Sequence, residues 1–509
     1  MKTKISIAIV ISGLLISGCT KDFENININP NAPQEVTSPQ LLLPAIIKNS
    51  AKSHFYSSMT RGNIIADYYS NQYVSGFDDA WAPSQVEGYF LWSTYDRLRD
   101  VENLLSLSRS KGFKNNEGAG LVLKAWMFQV VTDIYGDIPF SEAVKGKMGA
   151  NFAPKFDSQE DVYYGLLDIL KNANDLLASG SDPLSGDIML EGKPLRWRQF
   201  ANSLRLRLLM RMSGKTNLKI DVAKEMSDIV NNPAKYPLFT SNADQAALTY
   251  LVEAGNEFPG FNDTPASDRH LSTTLEKNLK ERNDPRIHYY ATPTPAGTAA
   301  NKIVYAGVPN GVSSAVDAAY NGGRNDQSSL SLLLTPISAF PKASQTASQS
   351  LLMTYSEVQF ILAEARERGL ITTGSAETYY LNGIKDQFAY LSSRIPSNFD
   401  FPKAADIQAP AAYYEQPLVK YSGTQSERLY KIGLQKWFAL FNGGFEGWSE
   451  WRRTGVPLEI KAGPNSAIKE IPRRSRYPIS EQRLNSDNYN KAIQAQGPDD
   501  LLTRVWWNK

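Results

Sequence analysis

Helix-start and helix-stop signals recur along this chain often enough to make an α-helical scaffold the economical fold. Ser38-Pro39 places a cap residue and then proline at the first helical position, ahead of LLLPAIIKNSA. Ser84 and Glu87 have capping-box spacing. They open a predicted helix through Val86, Phe90, Leu98, Val101 and Leu105 that stops before Gly112. A third helix, LVLKAWMFQVVTDIY, stops at Gly136. Ser158 and Asp161 open a fourth, with Val162, Leu166, Ile169, Ala173 and Leu176 on one face. Thr354 with Glu357 and Thr424 with Glu427 are further boxes, whose helices stop at Gly369 and at Gly443-Gly444. No comparable series of alternating apolar and polar residues marks strands, so the predicted class is mainly α.

Several predicted helices come in pairs joined by short turns. Residues 354–392 make one pair of nearly tetratricopeptide length, with Ala363 and Ala365 as small packing positions. Residues 117–178 make a looser pair around YGDIPF. A right-handed stack of such pairs buries their apolar stripes, which predicts a tetratricopeptide-like superhelical scaffold.

Residues 253–350 break the helical order. They are rich in Gly, Pro, Asn, Ser and Thr, relieved mainly by a short helix around LSTTLEKNLKERN. Long insertions of this kind are usually functional or mobile. This one carries Tyr289, Tyr305 and Tyr320, the last followed by Asn321-Gly322-Gly323-Arg324. A second aromatic-rich segment, YYSNQYVSGFDDAW, runs from Tyr68 to Trp81. Trp92, on the apolar side of a predicted helix, is expected in the core.

Cys19 is the only cysteine among 509 residues. It follows a basic start at Lys2 and Lys4, an apolar stretch from Ile5 to Ile16, and the small pair Ser17-Gly18. That stretch is shorter than the roughly 20 residues a membrane-crossing helix needs, and reads as the hydrophobic part of a cleaved leader. Ile16-Ser17-Gly18-Cys19 resembles the bacterial lipobox, whose cysteine takes acyl chains such as palmitate and becomes the mature N-terminus. The alternative is an ordinary secretory peptide that happens to contain a cysteine. Each buried methylene contributes about 0.8 kcal/mol, so two or three chains hold where one is marginal. Residues 20–37 are rich in Asn, Pro and charge and read as a tether. The predicted organisation is a signal peptide at 1–18, a lipidated N-terminus and flexible tether at 19–37, and one helical domain over 38–509 with the loop-rich insertion.

Charge and catalytic motifs exclude several functions. The chain has 54 basic and 52 acidic side chains, and the leader's Lys2 and Lys4 account for the excess. A balanced chain lacks the electrostatic footprint of a nucleic-acid binder. With Cys19 lipidated there is no disulfide, and the fold rests on its hydrophobic core. His54, His270 and His288 are the only histidines, and no two have the close spacing of a helical zinc site. NGGRND at 321–326 lacks the strand, lysine and hydroxyl of a phosphate loop. Asp78-Asp79 and Asp499-Asp500 sit in no twelve-residue calcium loop and read as solvated acids. Glu446 and Glu450 could in principle cleave a glycosidic bond as a carboxylate pair. Beside Arg452 and Arg453, they read instead as a paired structural network. The expectation is a binding protein with no cofactor, not an enzyme.

The longer strings then fit together. They are NPN at 29–31, YGDIPFSEA at 135–143, WRQFANSLRLRLLMR at 197–211 and NDPR at 283–286. Further on come SEVQFILAEARERG at 356–369, QKWFALFNGGFEGWSEWRRTGVP at 435–457, IPRRSRYP at 471–478 and RVWW at 504–507. In this order and spacing, with the lipobox, they resemble the SusD/RagB-type, or SusD-like, surface lipoproteins of Bacteroidetes. Lys21, Asp22 and Glu24, interrupted by Phe23, resemble that group's surface-export signal. The resemblance implies a tetratricopeptide-like base with a loop-rich ligand face, lipid-anchored in the outer membrane and facing outward. It implies an oligosaccharide ligand, or in some members a peptide, and a SusC-like TonB-dependent transporter that the protein caps as a lid. A scaffold lipoprotein for outer-membrane assembly and a surface glycoside hydrolase are the competing classes.

In WRQFANSLRLRLLMR the apolar Trp197, Phe200, Leu204, Leu208 and Met212 keep helical spacing, and Arg198, Arg205 and Arg207 are expected in ion pairs between helices. Sugar faces pack on flat aromatic side chains while amides, carboxylates and guanidinium groups satisfy the hydroxyls. Tyr73, Phe77, Trp81 and Tyr89 are candidates for that role, as are Tyr289, Tyr305, Tyr320, Asn321 and Arg324. Large aromatic residues are mostly buried, so only about a third of these are expected to touch a ligand.

Overall fold

In the computed structural model, the described residues are 38–71, 81, 91–149, 151–251, 253, 256, 269–334 and 349–509. The N-terminal half is a run of helices, α1 (Leu43–Ser57), α2 (Thr94–Lys111), α3 (Lys114–Tyr135), α4 (Gln159–Ser179), α5 (Pro194–Met212) and α6 (Val222–Asn231). After α7 (Thr273–Lys280) come α8 (Tyr355–Glu367), α9 (Ala376–Ser393), α10 (Gln425–Ala439), α11 (Glu446–Thr454), α12 (Ile479–Leu484) and α13 (Ser486–Gln496). The class is mainly α, and sequence neighbours pack as pairs: α2 on α3, α3 on α4, α4 on α5, and α8 on α9.

The helix ends follow the sequence where the cap bond is made. Ser158 accepts the Asp161 N–H at 3.1 Å to open α4. Thr354 accepts from the Glu357 N–H at 3.2 Å to open α8. Thr424 and Glu427 form the reciprocal box at α10. Gly136, at φ +85°, closes α3. Two predicted starts move. Ser38-Pro39 opens only a 3₁₀ turn, Pro39–Leu41, without a side-chain cap bond, and α1 begins at Leu43 with proline in its first turn. The helix expected from Ser84 begins at Thr94, because Leu91 stands at φ +61°, which no continuing α-helix accommodates. Ser84 and Glu87 themselves lie outside the described residues.

Two glycines set how closely the pairs approach. A Cβ on Gly118 of α3 would lie 2.5 Å from the Leu177 side chain of α4. One on Gly383 of α9 would lie 2.8 Å from the Phe360 ring of α8. Ala363 and Ala365 are fully buried, as their small size predicts.

In α5, Trp197, Phe200, Leu204, Leu208 and Met212 are buried. Arg205 pairs with Glu225 of α6 at 3.2 Å, and Arg207 pairs with Glu357 of α8. Arg198 departs from expectation: it donates to the carbonyls of Ala234 and Lys235 and to Asn174, not to a carboxylate. Trp92 also differs, being half-buried on the wall of a cleft.

Three short antiparallel ladders tie distant loops together. They pair β1 (Tyr69–Asn71) with β5 (Arg269–Leu271), β2 (Ile138–Pro139) with β3 (Phe156–Asp157), and β4 (Ala246–Thr249) with β6 (Gln349–Met353). The described residues of the insertion are more regular than its composition predicts, with α7, β5 and short helices at Ile287–Tyr290, Pro295–Ala299 and Ser314–Ala319. Ser313 and Thr294 cap the last two with their side chains, which explains order in a Ser/Thr-rich stretch. Among the described residues no helix is long and apolar enough to cross a membrane.

Candidate functional site

The described residues that flank 72–80, 257–268 and 335–348 lie around one floor. Asn71, where segment 72–80 begins, pairs across β1–β5 with Arg269, where segment 257–268 ends, and Arg269 donates to its side chain at 2.5 Å. The β5 edge continues into residues 328–330 through Leu271 N–H to Ser328 O and Leu330 N–H to Arg269 O, both at 2.9 Å. After Leu330 the chain turns through residues 332–334, and Gln349 faces Thr249 on β4.

Between these ends lies a layer of rings. Phe441 stacks on Tyr290 with centroids 3.9 Å apart and meets Tyr69 edge-on at 5.2 Å. The Tyr69 hydroxyl donates to Asn442 Oδ1 at 2.9 Å, and Tyr290 donates to the Phe438 carbonyl at 2.9 Å. Leu334, Gln349, Tyr289, Tyr290 and Asn442 enclose a hole of about 30 Å³. That volume suits a water rather than a sugar. The described residues therefore supply the floor of this face.

The predicted contacts separate by burial. Trp81, Tyr289 and Tyr305 are core side chains, 2%, 3% and 5% exposed. Tyr305 also donates to or accepts from His288 Nδ1 at 2.8 Å. Tyr320 is half-buried, and Asn321 and Arg324 are exposed. Asn321, Gly322 and Gly323 take φ of +58°, +98° and +116°, a left-handed run that Asn and Gly tolerate and that turns Arg324 outward. Asn321 donates to the Gly307 carbonyl at 3.0 Å, which fixes the turn. Tyr73, Phe77, Tyr89 and the lipidation candidate Cys19 lie outside the described residues.

Polar groups beneath the face are buried and mostly paired. The NDPR string is a clamp: Arg286 pairs with Asp284 and donates to Gln387 and Gln435, with its guanidinium over the Phe388 and Phe438 rings. Asp67, at φ +58°, accepts from Thr274 Oγ1 at 2.5 Å, and burial pushes its carboxyl up to about 7. His270 lies opposite Ser70 in the β1–β5 ladder, with Nε2 3.6 Å from Asp317 Oδ1, both side chains buried.

Glu446 and Glu450, the carboxylates of the hydrolase alternative, are 5% and 1% exposed. Glu446 pairs with Arg211 and accepts from Gln129 at 2.8 Å, and Glu450 pairs with Lys436 at 3.0 Å and with Arg453. Burial works to raise the Glu446 carboxyl, but the Arg207 and Arg211 charges outweigh it and hold it well below the usual carboxylate range. Burial opposes Arg453 and Lys436 at Glu450 with the same outcome. Neither is placed to hold a proton for a leaving group or to meet a substrate. Asp499, read from sequence as solvated, is instead paired with buried Arg474 at 3.1 Å. Among the described residues no three His, Cys, Asp or Glu side chains cluster as metal ligands.

Tyr69, Phe441 and Asn442 were not among the sequence candidates. Phe441 and Asn442 precede Gly443-Gly444, whose sequence signal is a helix stop and not a ring contact.

Comparison with known proteins agrees with this fold. Residues 30–478 match the SusD-like sequence profile, described as starch-binding and associating with the outer membrane. Among solved structures, a SusD homolog of Bacteroides fragilis is 28% identical, covers 93% of this chain over 100% of its own, and superposes with a TM-score of 0.78. A Bacteroides vulgatus outer-membrane protein with a suggested role in nutrient binding is 29% identical over the same shares, with a TM-score of 0.79. A chitin-binding protein is 25% identical over 93% of this chain and 100% of its own, with a TM-score of 0.74. No curated protein sequence matches the chain.

Proposed function

This chain belongs to the SusD-like family, and from that membership we propose that it is a cell-surface lipoprotein that captures an oligosaccharide and delivers it to a TonB-dependent outer-membrane transporter, over which it closes as a lid. The family description supports carbohydrate and the outer membrane. The chitin-binding relative supports a glycan rather than a peptide as the ligand. The observation that supports the reading is that Asn71, Arg269, Leu334 and Gln349 lie around one layer of buried rings.

In this reading Cys19 bears the acyl chains and residues 20–37 are the tether. Tyr320, Asn321 and Arg324 are proposed ligand contacts on a turn held by Asn321, and Tyr73, Phe77 and Tyr89 are proposed with them. Trp81, Tyr289 and Tyr305 are buried in the core and are not proposed as contacts. The protein holds its ligand without transforming it, because its paired carboxylates are buried and bound to cations.

Extraction of native outer membranes tests the delivery role. A β-barrel transporter is expected to copurify with the chain, and protease added to intact cells is expected to cleave it. A chain that purifies alone and is protected in intact cells contradicts the reading.

A further inference from the structure

We propose that a second, separate cleft on the helical base binds a neutral oligosaccharide, extending the capture surface beyond the loop-bearing face. This rests on the glycan-capture reading above and adds a site to it. The cleft has a volume of about 1310 Å³ and lies between α1, the start of α2, residues 139–154 and α12. Pockets for single small molecules usually span about 300–1000 Å³, so the space suits an oligomer.

Its rings come from three elements. Phe152 is 81% exposed and Tyr56 of α1 is 47% exposed. Trp92 stands half-buried before α2, its indole N–H on the Glu481 carboxylate and its ring edge-to-face with Tyr135 at a centroid separation of 4.9 Å. Neighbouring Tyr95 is pinned by a 2.7 Å bond from its hydroxyl to the Pro139 carbonyl. Trp92 is thus a fixed surface, which lowers the ordering cost of stacking a sugar on it.

Charge and hydrogen-bonding capacity select the ligand class. Lys52, Arg97 and Arg99 face Asp96, Asp100, Glu102 and Glu481 around the same space. Arg99 is already bound to Asp96 at 2.8 Å, and Glu102 to Lys124 at 2.5 Å. The lining is therefore nearly neutral and does not favour an ionic ligand. The side chains of Asn49, Asn103 and Asp100 line the cleft and make no hydrogen bond to another described residue. An apolar protein segment lying there would desolvate them unpaired, whereas sugar hydroxyls satisfy them while ring C–H faces cover Phe152, Tyr56 and Trp92.

The test is calorimetric titration of the detergent-extracted full chain with maltoheptaose and with chitohexaose. The expected result is that Tyr56→Ala with Phe152→Ala weakens one sugar by about tenfold or removes one binding event. Melting temperature should stay unchanged, because both side chains are exposed. Tyr320→Ala with Arg324→Ala should leave that event in place. If the cleft variant binds both sugars as the unaltered chain does, or if the loop-face variant alone removes all binding, the second site is overturned while glycan capture stands. If the unaltered chain binds neither sugar, the cleft proposal and its premise both fall.

Discussion

Arg207 on α5 grips Glu357 on α8 with a two-pronged bond, Nε to Oε1 at 2.7 Å and Nη2 to Oε2 at 2.6 Å, and each side chain is 2% exposed. The pair joins the N-terminal helices to the C-terminal ones across 150 residues of sequence. Removing one partner of a buried pair leaves a charge without compensation and costs about 3–5 kcal/mol. Glu357→Ala is expected to lower unfolding free energy in urea by that order. Arg207→Lys, which keeps the charge but loses the fork, should also destabilise. Unchanged midpoints in both would show that the pair does not hold the halves together.

The cap signals give a paired prediction. Ser158→Ala removes a bond to the Asp161 N–H and should cost about 1 kcal/mol. Ser38→Ala should be nearly neutral, because Ser38 makes no cap bond. Equal losses in thermal or urea melts would contradict this distinction.

Asp67 sets a pH dependence. It is 6% exposed, and burial raises its carboxyl from 3.8 to about 7. Between those values the folded protein keeps a proton that the unfolded chain has released. Stability from this group is full below 3.8 and is lost as pH rises through about 7. Asn lacks that penalty and suits the left-handed φ of +58°. Asp67→Asn should therefore gain stability over the native chain as pH rises from about 4 to about 7 and hold the gain above it. A difference independent of pH would contradict this.

Burial separates the site candidates. Trp81→Ala removes a ring only 2% exposed and should cost about 3–5 kcal/mol of stability. Tyr320→Ala and Arg324→Ala should leave the melt within about 1 kcal/mol while weakening glycan binding. The opposite pattern would place the ligand elsewhere.

Much of the scaffold was legible because helices announce themselves locally. The caps at Ser158, Thr354 and Thr424 and the stop at Gly136 each lie within a few residues of what they control. The start at Thr94 was not, since one left-handed residue, Leu91, overrides the apolar spacing around it. The site was less legible still. Its frame is a three-residue ladder joining Tyr69 to Leu271 across about two hundred residues, too short for any periodic signal. Aromatic richness marked the right segments but not the burial of Tyr289 and Tyr305. Trp92 sits on an apolar stripe yet lines a cleft, because its outer wall comes from Phe152 and Leu484, far away in sequence.

Electrophoresis of the detergent-extracted full chain through native gels containing soluble starch or glycol chitin tests glycan capture most directly. The chain should be retarded in at least one polysaccharide gel relative to a plain gel, and Tyr320→Ala with Arg324→Ala should restore part of its mobility. Equal mobility in every gel, with binding instead to a peptide panel, would contradict it.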